Sequence, residues 1–224
     1  MKDKVTVVIP AFNEEKTIAG IIRGVRQYCD EILLVSAKRC TDNTRKIAKS
    51  LGANVVIDSG KGKGDGMRLA IRIIKGGIIL FIDADGSHIP KDMPKIMKPL
   101  KEGKADMVIG SRLLGGSMEL HGTFNKFLRM FFSMCINQII NWRFNVKISD
   151  SQNGFRAIKA NVAKDLKLVS NKFDIETEMC MKCLKKGYRI LEVPSMELKR
   201  KYGKSGISLL RLGWIYLYRV LINL

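Results

Sequence analysis

Apolar residues over the first 85 positions alternate between two rhythms. Residues 5–9 (VTVVI) form an unbroken β-branched run closed by Pro10, the pattern of a strand buried on both faces of a parallel sheet. After the polar stretch 13–15, Ile18, Ile21, Ile22 and Val25 recur at helical spacing. The alternation then repeats. Residues 31–35 (EILLV) read as a strand, and Thr41, Asp42, Asn43 and Thr44 as capping residues for a helix carrying Ile47, Ala48 and Leu51. Residues 54–57 give a short third strand, 67–74 a helix, and 77–82 (GIILFI) a fourth strand. Such alternation predicts an α/β fold with a mostly parallel central sheet and helices on both faces. Ligands of these sheets bind beyond the carboxyl ends of the strands. The polar clusters at 10–15, 36–44, 58–65 and 83–88 all fall at that edge.

Downstream, residues 107–109 read as a further strand and 124–142, rich in Phe, Met and Ile, as a helix. Residues 150–156 read as a polar loop, 174–185 as a helix, 189–193 as a late strand and 199–204 as a basic loop. Residues 207–224 (ISLLRLGWIYLYRVLINL) would rise about 27 Å as a helix, the minimum for spanning a bilayer. Arg211 and Arg219 interrupt that run. With Trp214, Tyr216 and Tyr218 it reads as an amphipathic helix lying in a membrane interface. The chain therefore divides into a domain over 1–206 and an interfacial helix over 207–224.

Charge sharpens this picture. Forty Lys and Arg against 21 Asp and Glu give a net charge of +19, which points to a polyanionic partner. An anionic membrane face and phosphorylated substrates both qualify. Nucleic acid is set aside, because no aromatic binding motif, zinc pattern or recognition helix accompanies the charge. The five cysteines are odd in number and scattered; Cys180 and Cys183 have C-x-x-C spacing but no second pair, so free thiols in a reducing compartment are expected. No signal-peptide pattern opens the chain. The expected location is the cytoplasmic face of a membrane, held peripherally or through an anchoring partner or self-association.

The chemistry centres on Asp83 and Asp85, two residues apart at the end of an apolar strand. Two carboxylates so placed can face one hard divalent cation, Mg²⁺ or Mn²⁺, which also takes phosphate oxygens. Such a cation neutralises a diphosphate leaving group. Residues 60–64 (GKGKG) bring flexible backbone and the ammonium groups of Lys61 and Lys63 to cradle phosphates, without the spacing of a Walker loop.

Six motifs occur in order: VVIPAFNE over 7–14, TDNT over 41–44, GKG over 62–64, DADG over 83–86, GSR over 110–112 and NGFR over 153–156. Together they resemble glycosyltransferase family 2, and within it the dolichyl-phosphate sugar synthases, of which the mannose synthase is the best-known type. The resemblance covers residues 5 to about 206 and implies a GT-A fold. It implies an inverting enzyme that moves a sugar from a nucleotide-sugar, GDP-mannose or a UDP-sugar, to dolichyl or polyprenyl phosphate. It implies nucleotide-sugar contacts from Pro10, Phe12, Glu14, Ser36, Lys63, Asp83, Ala84, Arg200 and Ser205, with Asp83 and Asp85 on the metal. Arg112 and Arg129 would hold the acceptor phosphate.

Three positions depart from the family pattern. Val35, Ser36 and Ala37 stand where two acidic residues are common, leaving the base open between guanine and uracil. Ser87 stands where the mannose synthases have glutamine, and Gly206 where a lysine often follows the late serine, with Lys204 as its substitute. A phosphate acceptor is already anionic and needs positioning by arginines more than deprotonation. A hydroxyl acceptor, as for a soluble family-2 enzyme with a small substrate, needs a general base. Asp174, Glu176 and Glu178 are the candidates, with Glu176 taken as the catalytic one. His88 and His121 receive no role.

Overall fold

The computed structural model describes residues 4–118, 124–200, 202 and 209–224. Ser205, Lys204, Gly206 and His121, together with the boundary at 206 and 207, lie outside the described residues. Strands β1 (Val5–Ala11), β2 (Glu31–Ser36), β3 (Asn54–Ile57) and β4 (Ile78–Phe81) pair in parallel in the order β3-β2-β1-β4. Their registers bring Pro10 beside Val35 and Val8 beside Phe81, so the polar loops after each strand open on one edge. Helices α1 (Ile18–Val25), α2 (Thr44–Ser50) and α3 (Lys63–Ile73) connect them. The expected alternation is therefore present, and the sheet continues beyond it.

Helix α4 (Met93–Lys101) leads to β5 (Met107–Ser111) and a single turn, α5 (Arg112–Gly115). After the long α6 (Phe124–Phe144) comes β6 (Arg156–Lys159), antiparallel to both β4 and β5. Helices α7 (Ala160–Asp165) and α8 (Ile175–Lys185) precede β7 (Ile190–Pro194), parallel to β5, and α9 (Leu209–Asn223) closes the chain. The seven strands run β3-β2-β1-β4-β6-β5-β7, one of them reversed.

Side chains fill both faces. One face packs Ile18, Ile22 and Val25 of α1 with Met93 and Ile96 of α4. The other packs Met67 and Ile71 of α3 with Ile175, Met179 and Cys180 of α8. The C-x-x-C pair belongs to this second core. Burial pushes the Cys180 thiol up to about 12 and Cys183 higher still, while Cys135 is exposed. A thiol-specific reagent at neutral pH is expected to modify Cys135 quickly in the folded protein and to reach Cys180 and Cys183 only on unfolding, read by peptide mass mapping.

Two expectations gain detail. The polar stretch at 150–156 is a loop up to Phe155, but a buried one: Asp150, Ser151 and Asn153 are buried and lead into β6. The C-terminal helix docks one face on the rest of the chain. Tyr216 donates to the Phe173 carbonyl and Arg219 to Asp174, and Val220 packs with Ile140 and Met181. Arg219 is thus buried in an ion pair; among the described side chains of α9, Leu217, Tyr218, Leu221 and Ile222 face outward.

Candidate active site

The loops at the carboxyl edge enclose a crevice of about 1130 Å³. Its floor is set by β1 and β4, the two central parallel strands. Past β4, Asp83 and Asp85 enter it with the intervening Ala84. Asp85 Oδ1 accepts from the Ser87 amide at 3.0 Å and hydroxyl at 2.7 Å, which fixes its rotamer. Its Oδ2 lies 2.7 Å from Arg200 Nη2, and Arg200 Nη1 lies 3.7 Å from Glu14 Oε1. Desolvation raises the Glu14 carboxyl, and Thr17 works against that rise.

Lys63 lies between two carboxylates, 2.7 Å from Asp83 Oδ1 and 2.8 Å from Glu176 Oε1. Burial alone would depress its ammonium, but Asp83 and Glu176 outweigh burial and hold it above the ordinary lysine range. Burial likewise opposes ionisation of Asp83, and Lys63 and His88 reverse that and hold it well below the usual carboxylate range. The glycines flanking Lys63 let this happen. A Cβ on Gly64 would stand 2.6 Å from the Ser170 carbonyl oxygen, and Gly62 has φ +131°, so backbone packs tightly where a side chain would block it. The GKGKG stretch is in part the first turn of α3 rather than a free loop.

Two carboxylates at one strand end, both lining the crevice, are oxygen donors of the kind a hard divalent cation takes; in this structure Lys63 and Arg200 meet their charges at 2.7 Å. Among the described residues no cluster of three or more His, Cys, Asp or Glu forms a complete cage. Two carboxylates alone would leave most of such a cation's oxygen positions to water or substrate.

The predicted residues divide by position. Pro10, Phe12, Glu14, Lys63, Asp83, Ala84, Asp85, Arg112, Arg129, Glu176 and Arg200 all line the crevice. Phe12 is 42 % exposed, with the Arg39 guanidinium 4.4 Å from its ring centre. Ser36 is fully buried and takes a hydrogen bond from Arg45 at 2.7 Å; its neighbours Val35 and Ala37 form the wall instead. Of the three acidic residues on the 174–178 stretch, Asp174 and Glu178 are committed to Arg219 and to backbone amides. Glu176 alone lines the crevice, and its Oε2 is buried without a hydrogen-bond partner.

Arg112 is the most constrained. Asp150 grips it through Nε at 2.7 Å, Nη2 at 2.9 Å and its backbone amide at 3.1 Å, and Glu197 lies 3.4 Å from Nη1. Glu192 in turn holds the Ser149 and Asp150 amides, and Asn137 of α6 accepts from Ser151. That last bond ties the helix bearing Arg129 to the same loop. Asp150 and Glu197 were not singled out from sequence, and His88 was given no role. His88 is buried, stacks on Phe155 at 5.0 Å and places Nε2 3.6 Å from Asp83 Oδ2.

A twisted sheet whose carboxyl edge carries a D-x-D pair, a lysine-glycine turn and buried arginines defines a glycosyltransferase with a GT-A fold. Residues 6–167 match the model of glycosyl transferase family 2, and the chain belongs to that family. It is 34 % identical over 206 residues to glycosyltransferase AglJ of Haloferax volcanii, covering 90 % of this chain and 65 % of AglJ. It is 30 % identical to an uncharacterized protein of Methanocaldococcus jannaschii, over 99 % of this chain and 93 % of that one. With the low-salt glycan biosynthesis hexosyltransferase Agl6 of H. volcanii it shares 28 % identity, but spans only 53 % of Agl6. The fold matches that of glucosyl-3-phosphoglycerate synthase from Mycobacterium tuberculosis, solved with Mn²⁺, UDP and phosphoglyceric acid. There the TM-score is 0.75 at 20 % identity, over 99 % of this chain and 78 % of that one.

Proposed function

We propose that the enzyme transfers a sugar, with inversion, from a nucleotide-sugar to the phosphate of a polyprenyl or dolichyl lipid at a membrane surface. One observation carries this reading. Helix α6 contributes Arg129 to the crevice, and the same helix leaves Phe127, Phe131, Phe132, Met134 and Trp142 half exposed or more. A contiguous apolar face beside an anion site suits a ligand with a phosphate head and a hydrocarbon tail. The outward Leu221 and Ile222 of α9 extend that character, and the +19 charge favours an anionic bilayer. Among the described residues no helix is long and apolar enough to cross a membrane, so the contact is peripheral or shared with an anchoring partner. The name of Agl6, a hexosyltransferase of glycan biosynthesis, is consistent with this chemistry.

In this reading Asp83 and Asp85 hold Mg²⁺ or Mn²⁺ with the donor diphosphate. When bound, that ion neutralises the charge of the departing nucleotide. Lys63 and Arg200 add positive charge on either side of the diphosphate. Arg129, with Arg112 held rigid by Asp150, orients the acceptor phosphate oxygen toward the anomeric carbon. That oxygen carries negative charge at neutral pH and needs no base. Glu176, against Lys63, shapes the sugar side of the crevice.

A second reading has its own observation. The unpartnered, buried Glu176 Oε2 is placed to take a proton from a hydroxyl acceptor. The similar fold solved with phosphoglyceric acid makes a small phosphorylated substrate the natural form of that alternative.

The two readings separate on one variant. Phe131→Ser/Phe132→Ser should lower turnover of a long-chain polyprenyl phosphate in vesicles by roughly tenfold, from the apolar area removed from the lipid contact. Turnover of a short, water-soluble prenyl phosphate should stay unchanged. Equal rates on both acceptors would remove α6 from lipid recognition.

A further inference from the structure

Asp58 is a crevice carboxylate that the roles above leave unused. Asp58 follows β3, lines the crevice and is 8 % exposed. Its Oδ1 accepts two backbone hydrogen bonds, from Lys38 and from Gly60, both at 2.8 Å. Its Oδ2 takes no hydrogen bond and no ion pair among the described residues, and it stays open to solvent. The neighbouring Gly66 adds no side chain over it: a Cβ there would lie 3.6 Å from Oδ2 and 2.9 Å from Val35. Of the other crevice carboxylates on the neighbouring loops, Asp42 has both oxygens occupied by Thr44 and by the Glu15 amide, and Glu15 Oε2 accepts from Asn43.

Position decides what Oδ2 meets. Strand β3 stands three places from β4 in the sheet, which puts the two strand ends about 14 Å apart. That is the reach of a nucleoside from its diphosphate to the far edge of its base. The exposed ring of Phe12, with Arg39 over it, follows β1, which lies between β3 and β4 in the sheet, and offers a flat apolar surface. With Val35, Ser36 and Ala37 at the end of β2, no acid from that strand competes for the base.

We infer that Asp58 reads the donor's base, its Oδ2 accepting the ring N–H of uracil or guanine. Uracil N3 and guanine N1 carry a proton and match an acceptor-only carboxylate. Cytosine N3 and adenine N1 present a lone pair at the same place, which the carboxylate repels whatever their flanking amines do. This inference rests on the nucleotide-sugar reading and adds a specificity residue to it.

The two amides on Oδ1 make the test sharp. In Asp58→Asn the side-chain carbonyl must stay on the Lys38 and Gly60 amides, so the NH₂ group turns into the crevice. An acceptor becomes a donor with no change of shape. Binding of UDP, GDP, CDP and ADP to the full chain with Mn²⁺ is then measured by calorimetry for both proteins. The native protein should bind UDP or GDP roughly ten- to a hundredfold more tightly than CDP and ADP, the scale of one unmatched buried polar group. Asp58→Asn should erase or reverse that ratio. A loosened loop would weaken all four ligands alike, and so would a contact to ribose; an unchanged ratio therefore overturns the assignment. If the native protein bound none of the four, the nucleotide-sugar reading would fall, and this inference with it.

Discussion

Asp85→Asn should reduce kcat by about 10³-fold or more while leaving the melting temperature within roughly 2 °C. Ser87 donates to Asp85 Oδ1 through its amide and hydroxyl, and an asparagine carbonyl can take both bonds. The fold near β4 therefore keeps its contacts. What is lost is one negative charge and the oxygen facing Arg200. An NH₂ group there neither binds a divalent cation nor pairs with a guanidinium. A 10³-fold loss corresponds to about 4 kcal/mol of transition-state stabilisation, of the order of the several kcal/mol that a cation held at Asp85 would supply in the proposed reading. The check is steady-state transfer over a range of Mn²⁺ concentrations, beside thermal unfolding by circular dichroism. Full activity in this variant would move the cation and the diphosphate away from Asp85.

The second large effect is on stability. Asp150→Ala removes both oxygens that grip Arg112 and leaves the guanidinium buried with Glu197 at 3.4 Å as its remaining carboxylate. Breaking a buried pair in this way costs about 3–5 kcal/mol. For a domain of this length that lowers the melting temperature by roughly 10 °C. Asp150→Asn keeps an acceptor for Arg112 and should lose less. The double variant Arg112→Ala/Asp150→Ala should recover part of the loss, because no unpaired charge stays behind. A fully additive double variant would mean the pair contributes nothing as a pair. Arg112→Ala should also impair use of the acceptor more than nucleotide binding.

The contrast between these two sites shows what could be read from sequence. Strands β1, β2 and β4 are runs of Val, Ile and Leu because they are covered on both faces, and each ends in the polar loop that carries chemistry. Asp83 and Asp85 are legible for that reason: the strand points them at the crevice. Strand β6 was missed because it is four residues long and begins with a charge. Arg156 is fully buried there only by donating to the carbonyls of Ser151, Asn153 and Glu176. No local pattern announces such a bond. The same holds for Arg112, whose partners lie 38 and 85 residues away.

The C-terminal helix shows the converse. Its aromatic and basic residues read as one membrane-facing set, but Arg219 pairs with Asp174 and Glu178 of the α8 region and Tyr216 with the Phe173 carbonyl, so these two belong to the docked face. Periodicity gives an apolar face but not the surface that covers it. That same docking explains why Asp174 and Glu178 drop out as bases while Glu176, between them in sequence, faces the crevice.

The most direct measurement is transfer of radiolabelled sugar from a panel of UDP- and GDP-sugars in the presence of Mn²⁺ or Mg²⁺ and polyprenyl phosphate, followed by solvent partition. Label should pass into the organic phase with one class of donor, only when both lipid and divalent cation are present. Donor turnover with all label retained in water, on a small phosphorylated acceptor, would contradict the lipid acceptor and leave a glycosyltransferase of the second kind.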